Sequence, residues 1–472
     1  MTMTWSNRLR LISFSLVLLA EVLAQYIPLF PVTLAGVLSA IAGILAFAAS
    51  NTTSRVLSLA LMGAGAALFV YCGASPVVVV SSFAENIGVL MVMALVPLLG
   101  VVIDLGGYPE ALALLARRMK NPILLFAFSL LLVYLLGSVL LTAAIALAWM
   151  ILAPAVAEIG EEPSTFLAVG LARGYVSASL WSPASPTLAI TLAVSGVRWP
   201  AVVRPGLILS AAVLTCTMAF AYAGSLRNLS QRAHRLGHAG AASREKSIQK
   251  QAAPQDRTAE RAPFARLSTL AAALVLFMVA IASCNLMGYT VYQAIVPCTA
   301  AAFTLWALAI GESRRAFASA LGYFTRKLPG LSDQFLLMIT AGFAGRAFQI
   351  ASSGLPVDVF NGLAGLSTFW FSLIVSALVW GISLVGVHPL IGTTIVSSMV
   401  SPYIGHHSIL SLSCALMLGS CLGFCISPVS AMLMVMSSCS GKSTLDLGLK
   451  MQWKFVMASW IIGCKVLSVI LP

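Results

Sequence analysis

The chain alternates long apolar runs with short polar connections. Each apolar run is about 20 residues long, which is enough for an α-helix to cross a hydrocarbon core of about 30 Å. The longest polar stretch is a single segment, 224–266. The pattern predicts an all-α polytopic membrane protein with about eleven transmembrane helices.

Two long apolar segments are interrupted by glycine. They are 121–159, interrupted near Gly137, and 368–403, interrupted near Gly386. If each segment returns to the side it entered, the basic residues of the later loops stay on one side of the membrane, in agreement with the positive-inside rule. A single crossing would move those loops to the opposite side. The charge pattern therefore predicts two re-entrant hairpins, a cytoplasmic N-terminus and an external C-terminus.

Two further segments, 164–197 and 407–439, are broken by proline between serines. The pattern Ser-Pro-x-Ser begins at Ser182 and again at Ser427, 427 − 182 = 245 residues later. Both copies follow the same order of elements, which is helix, amphipathic stretch, interrupted segment, broken helix, helix. This match predicts an internal repeat, and the predicted topology makes the two repeats inverted.

The repeat divides the chain into five parts. They are N-terminal scaffold helices (1–84), a first repeat (85–223), a basic cytoplasmic loop (224–266), two more scaffold helices (267–330) and a second repeat (331–472).

Composition narrows the class of protein. Hydrophobic residues make up 60 % of the chain and charged residues 9 %, with a mean hydropathy of +0.99. The net charge of +13 lies mostly in loops between apolar runs. The positive-inside rule explains that charge, so we predict no nucleic-acid partner. The expected surroundings are a lipid bilayer, as in a bacterial inner membrane. The nine cysteines form no CxxC pair, so we predict neither a metal site nor a cofactor.

Broken helices in inverted repeats are typical of secondary transporters. Proline removes a helix hydrogen bond, and unwound backbone at membrane depth needs a cavity or a ligand to satisfy it. Helix N-termini at such a break favour an anion, whereas carbonyl and hydroxyl oxygens favour a small cation. The predicted substrate- or ion-binding residues are Gly137, Ser138, Thr142, Ser182, Pro183, Ser185 and Thr187 in the first repeat, and Gly386, His388, Thr393, Thr394, Ser427, Pro428 and Ser430 in the second.

These motifs resemble those of the ion transporter superfamily, which includes the divalent-anion/sodium symporters and the arsenite transporters. The runs from Gly137 to Pro154 and from Gly386 to Pro402 are similar to its hairpin tips. The run that begins at Ser182 corresponds to its unwound Gly-Thr-Pro-Pro-Asn turn. The resemblance implies alternating access, and it makes a homodimer one expected arrangement. Neither tip carries the family's Ser-Asn-Thr run, so coupling to sodium and coupling to protons both stay open.

Three ionisable residues inside predicted spans or tips are candidates for a functional role. Arg173 and Arg346 are candidates for attracting an anion, although each could instead pair with a carboxylate or reach the membrane interface. His388 is a candidate proton carrier, because histidine titrates near physiological pH, or a neutral residue hydrogen-bonded within the tip.

The sequence thus predicts a secondary-active transporter of a small, organic anion, coupled to sodium or protons, rather than an enzyme. Clusters of carboxylates or histidines at one membrane face would favour an enzyme, and the sequence shows none. Two alternatives are a membrane subunit of a multi-component transport system and a non-transport assembly protein.

Overall fold

The structure, a computed structural model, describes residues 4–27, 29–223, 257–352, 358–405 and 407–471. These residues contain helices and no β-strand. By length and composition, the described residues contain ten helical spans that are long and apolar enough to cross a membrane. Two of these spans, Pro76–Leu105 and Ile409–Ser440, consist of more than one α-helix. The prediction of an all-α membrane protein is therefore confirmed. Residues 224–256 of the predicted basic loop lie outside the described residues.

The described residues up to 223 form twelve α-helices. They are α1 (Trp5–Tyr26), α2 (Val32–Ala49), α3 (Thr52–Tyr71), α4 (Pro76–Ser81), α5 (Ile87–Leu95), α6 (Leu99–Leu105), α7 (Tyr108–Arg118), α8 (Pro122–Leu140), α9 (Ala143–Glu158), α10 (Pro163–Ser179), α11 (Pro186–Ser195) and α12 (Trp199–Ala221).

The described residues from 257 onward form nine more. They are α13 (Arg257–Leu286), α14 (Val291–Ala309), α15 (Ser313–Lys327), α16 (Ser332–Ser352), α17 (Thr368–Leu384), α18 (Pro389–Val400), α19 (Ile409–Ile426), α20 (Ala431–Ser440) and α21 (Met451–Ile470). Helix α13 begins at Arg257, so the last part of the predicted loop is helical.

One predicted span has different boundaries in the structure. The sequence predicts a single helix over 85–106, whereas the chain forms α4, α5 and α6 with 3₁₀ turns between them. The second of these turns, Val96–Leu98, contains Pro97, which has no N–H to donate and so interrupts the α-helical hydrogen-bond pattern. The polypeptide also turns at Asn86, whose φ of −109° and ψ of 16° are not helical.

The two interrupted segments each form a pair of helices whose outer ends lie together. In α8–α9, the Lys120 Nζ lies 3.0 Å from Glu158 Oε2, and Arg117 Nε lies 3.6 Å from the other oxygen of that carboxylate. In α17–α18, a Cβ built on Gly405 would lie 2.4 Å from the Cβ of Ala364. The two outer ends of each pair are therefore neighbours.

The two broken helices, α10–α11 and α19–α20, run in opposite directions. Lys442, which follows α20, bonds across to the start of α10, with its Nζ 3.3 Å from Glu162 Oε1 and 2.8 Å from Thr165 Oγ1. At the opposite end, Val194 of α11 packs against the apolar cluster that contains Leu412 near the start of α19. One broken helix thus begins where the other ends.

A glycine brings each broken helix against the backbone of its neighbouring helix pair. A Cβ on Gly174 would lie 2.5 Å from the Leu130 carbonyl oxygen, and a Cβ on Gly419 would lie 2.6 Å from that of Ser376. Real Cβ atoms do not approach carbonyl oxygens so closely, so any other residue would push the helices apart. The two glycines have the same offset as the two Ser-Pro motifs, 419 − 174 = 245 residues.

Candidate functional site

The first break contacts the tip between α8 and α9 directly. The Ser182 hydroxyl donates a 2.5 Å hydrogen bond to the Ser138 carbonyl oxygen and accepts one of 3.2 Å from the Ala184 N–H. The Ser138 hydroxyl donates to the Leu135 carbonyl oxygen at 2.7 Å. Gly137 lies against Tyr175 of α10, since a Cβ there would be 3.4 Å from its ring. The serine at the break therefore holds the tip in place.

One hydroxyl at the first break has no hydrogen-bond partner. Ser185 is the N-cap of α11 and is 2 % exposed, yet its side chain bonds to nothing in the described part of the chain. Pro183 and Pro186 on either side of it have no N–H. Thr187 follows, also buried. A buried hydroxyl without a partner costs free energy, which a bound ligand would recover.

The second break has the same backbone arrangement with different side-chain bonds. The Ser427 hydroxyl lies 3.5 Å from the Val387 carbonyl oxygen, so this contact with the tip is longer than its counterpart in the first half. The Ser430 hydroxyl donates to the Phe424 carbonyl oxygen at 2.8 Å and accepts the Leu433 N–H at 3.1 Å. Ser430 is therefore a fully bonded helix cap.

The tip between α17 and α18 is formed by Gly386 and His388. Gly386 has a φ of 94°, which is unfavourable for residues with a side chain. His388 caps α18: its Nδ1 accepts the Leu390 N–H at 3.3 Å, and its ring stands edge-on to Phe424 at 5.4 Å. Thr393 and Thr394 donate to carbonyl oxygens one turn back in their own helix, at 3.0 and 3.2 Å.

A cavity of about 180 Å³ opens beside the second tip and break. Its lining includes Gly386, His388 and Pro428 from the predicted set, together with Asn51, Thr53, Ser54, Asp333 and Gln334. The Gln334 Oε1 is buried and has no hydrogen-bond partner among the described residues. The Asp333 carboxylate accepts the Asn51 N–H at 3.0 Å. The starts of α3 and α16 thus line this chamber together with the tip and the break.

The sequence did not predict that these additional residues line the chamber. Asn51 bonds to the Ser54 N–H at 2.8 Å, and Asp333 lies in the first turn of α16. In the sequence both have the pattern of ordinary helix starts, a polar residue just ahead of an apolar run. No periodicity indicates that the two helix starts face a tip that lies elsewhere in the chain.

The predicted anion-attracting arginines do not line the chamber. Arg173 is 5 % exposed, donates from Nε to Gln452 Oε1 at 2.9 Å and stacks over the Phe455 ring at 4.2 Å. It makes no ion pair within the described residues. Arg346 is half-buried and donates to Gln349 Oε1 at 2.5 Å. In this conformation both arginines donate hydrogen bonds to glutamine side chains.

The structure brings the predicted residues together as two groups, one at each break. Phe424 lies between them, since its ring is 5.4 Å from His388 and 6.4 Å from Tyr175 beside the first tip.

The described residues contain no group of three histidine, cysteine, aspartate or glutamate side chains placed to hold a metal ion. In comparisons with known proteins, no protein-family model and no curated protein sequence matches the chain.

Proposed function

We propose that this protein is a secondary-active transporter of a small organic anion that works by alternating access. The observation that carries the proposal is the pairing of each helix break with a tip: Ser182 bonds to the Ser138 carbonyl oxygen, and Ser427 faces that of Val387. Broken helices that meet in the interior are how transporters place helix ends around a substrate.

The proposal includes two inverted repeats with re-entrant hairpins. The opposite directions of the two broken helices support inversion, because Lys442 at the end of one bonds to Glu162 at the start of the other. The paired outer ends of α8–α9 and α17–α18 support hairpins. The shared 245-residue offset of the Ser-Pro motifs and of the contacting glycines supports a common ancestry of the halves.

The chemistry of the breaks favours an anion with a small coupling ion. Helices α11 and α20 begin at the breaks, so the positive ends of their helix dipoles lie there. The chamber combines hydroxyl, amide and imidazole groups, which can hydrogen-bond a carboxylate, with the carboxylate of Asp333, which favours a cation. The unpartnered Ser185 hydroxyl and Gln334 Oε1 are groups that a substrate or a coupling cation would satisfy. His388 lines the chamber and is our candidate for proton coupling.

Transport in liposomes tests this proposal. Purified protein should take up a radiolabelled mono- or dicarboxylate when a sodium or proton gradient is imposed, and dissipating the gradient should stop net uptake. Ser182→Ala combined with Ser427→Ala should lower the initial rate at least about tenfold, because both changes free a tip carbonyl from its break.

Ser438→Ala with Ser468→Ala is the matched control, since both hydroxyls are exposed and bond within their own helices. The control should transport at the wild-type rate. Full transport by the Ser182/Ser427 variant would refute the site. Failure of the wild-type protein to move any carboxylate under either gradient would refute the function.

A further inference from the structure

A second cavity, distinct from the transport chamber, lies at the end of the molecule where α16 begins. Its volume is about 260 Å³, and its lining includes Asn7, Arg10, Arg326, Gly330, Ser332 and Asp333. It shares only Asp333 with the chamber beside His388. Polar groups dominate its wall, so it suits a charged or strongly polar ligand.

Two arginines in this cavity lack an anionic partner. Arg10 donates from Nη1 to Ser332 Oγ at 3.1 Å and from Nη2 to Asn7 Oδ1, while its Nε is buried without any hydrogen bond. Arg326 donates from Nε to the Gly322 carbonyl oxygen at 3.0 Å. Within the described residues, neither arginine forms an ion pair.

The single carboxylate of the cavity does not neutralise this charge. Asp333 is already bonded through Oδ1 to the Asn51 N–H. Two guanidinium groups and one carboxylate leave a net positive charge, and guanidinium groups bind phosphate oxygens with matching geometry. The cavity therefore has the charge and the donors for a phosphate group.

The surroundings place this cavity at the depth of lipid headgroups. Arg326 lies in the last turn of the amphipathic helix α15, whose Phe317 and Leu321 are 52 % and 69 % exposed. Trp5, at the start of α1 near Arg10, is 73 % exposed. An amphipathic helix with an exposed apolar face lies in the membrane interface, and tryptophan is enriched at the same level.

We infer that this cavity binds the phosphate of an anionic phospholipid headgroup. The acyl chains would lie along the exposed apolar residues of α1 and α15, and the two arginines would contact the phosphate. Such a lipid would link α1, α15 and the start of α16. The inference does not depend on transport.

Lipid binding to the whole chain tests it. Wild-type protein in detergent is titrated with phosphatidylglycerol or phosphatidylcholine, and binding is read by native mass spectrometry and by thermal stability. We expect tighter binding of phosphatidylglycerol, and Arg10→Gln with Arg326→Gln should weaken it roughly 30-fold. Arg314→Gln with Arg315→Gln removes the same charge from exposed positions at the other end of α15 and should bind like wild type.

A second variant keeps the charge and fills the space. A Cβ on Gly330 would meet no atom within 4 Å, so Gly330→Leu should fold normally and yet block the headgroup. The inference would be overturned if the two double-arginine variants lost equal affinity for phosphatidylglycerol. It would also be overturned if Gly330→Leu bound this lipid like the wild-type protein. Inorganic phosphate that stabilises the protein as much as the lipid does would assign the cavity to a soluble anion instead.

Discussion

At the scale of single residues, the two tips achieve a sharp turn in different ways. Gly386 has a φ of 94°, where glycine costs little. Leu141, at the tip between α8 and α9, has a φ of 57° and a ψ of −138° and is the one non-glycine residue with positive φ in the described chain. Such a conformation costs about 1–3 kcal/mol and persists only where its surroundings enforce it. The first tip is therefore the more strained of the two.

Gly386→Ala tests the role of the second tip. The added Cβ should destabilise this conformation by about 1 kcal/mol, lowering the unfolding temperature and slowing uptake in liposomes. Gly381→Ala is the control, because Gly381 lies inside α17 with open space around its Cα and no positive φ. The control should be neutral or slightly stabilising. Equal unfolding temperatures and uptake rates for the two variants would contradict this role of the tip.

The sequence predicted the break serines and the tip glycines because proline and glycine act locally on the backbone. It could not predict the chamber wall, since Asn51 and Gln334 reach the site through packing of distant segments. Nor could it predict the surroundings of Arg173, whose bond to Gln452 joins residues 279 positions apart. Contacts of that kind leave no periodic signal in a single sequence.

At the scale of elements, helix existence was predicted better than helix boundaries. The sequence predicts spans at about 8–25, 30–49, 201–223 and 291–311, and α1, α2, α12 and α14 begin and end within a few residues of these bounds. Helix α15 was not predicted, because arginine and lysine at both ends of 313–327 and small residues between them give no apolar run. An interfacial helix needs only one apolar face, so hydropathy along the chain misses it.

The contact between Glu162 and Lys442 ties two elements together in a pH-dependent way. Hydrogen bonds from Ser164 and Thr165, and then from Lys442, lower the pKa of Glu162 below its ordinary value of 4.5. A lowered folded-state pKa means that the stabilisation is present above that ordinary value and is lost as the pH falls through the folded pKa.

The unfolding temperature of Glu162→Gln compared with wild type measures this effect. The wild-type protein should unfold at a higher temperature at pH 6, and the difference should disappear as the pH falls below 4.5. The stabilisation by this ion pair is small, because Glu162 is exposed to solvent. Lys442→Gln should lower the unfolding temperature less in the Glu162→Gln variant than in the wild-type protein. A difference that does not change with pH would show that Glu162 acts without its charge.

At the scale of the whole molecule, the proposed inverted repeats make a topological prediction. Single cysteines at Asn121 and Glu161, the outer ends of α8–α9, should react with an impermeant maleimide from one side of a sealed vesicle. Cysteines at Ser367 and Tyr403, the outer ends of α17–α18, should react only from the other side. Labelling of the nine native cysteines sets the background. If the two cysteines of either pair react from opposite sides, that helix pair crosses the membrane and is not a re-entrant hairpin.

The chamber beside His388 is lined at one end by the starts of α3 and α16, where Asn51 and Thr53 are exposed, and at the other end by the buried His388 of the tip. A soluble molecule shaped to fill it would therefore have to arrive from the side where those two helices begin. If that side is the cytoplasm, as the charge pattern predicts, such an inhibitor acts only after it has entered the cell. Its potency on intact cells would then depend on its own permeability, whereas on inside-out vesicles it would depend on affinity alone.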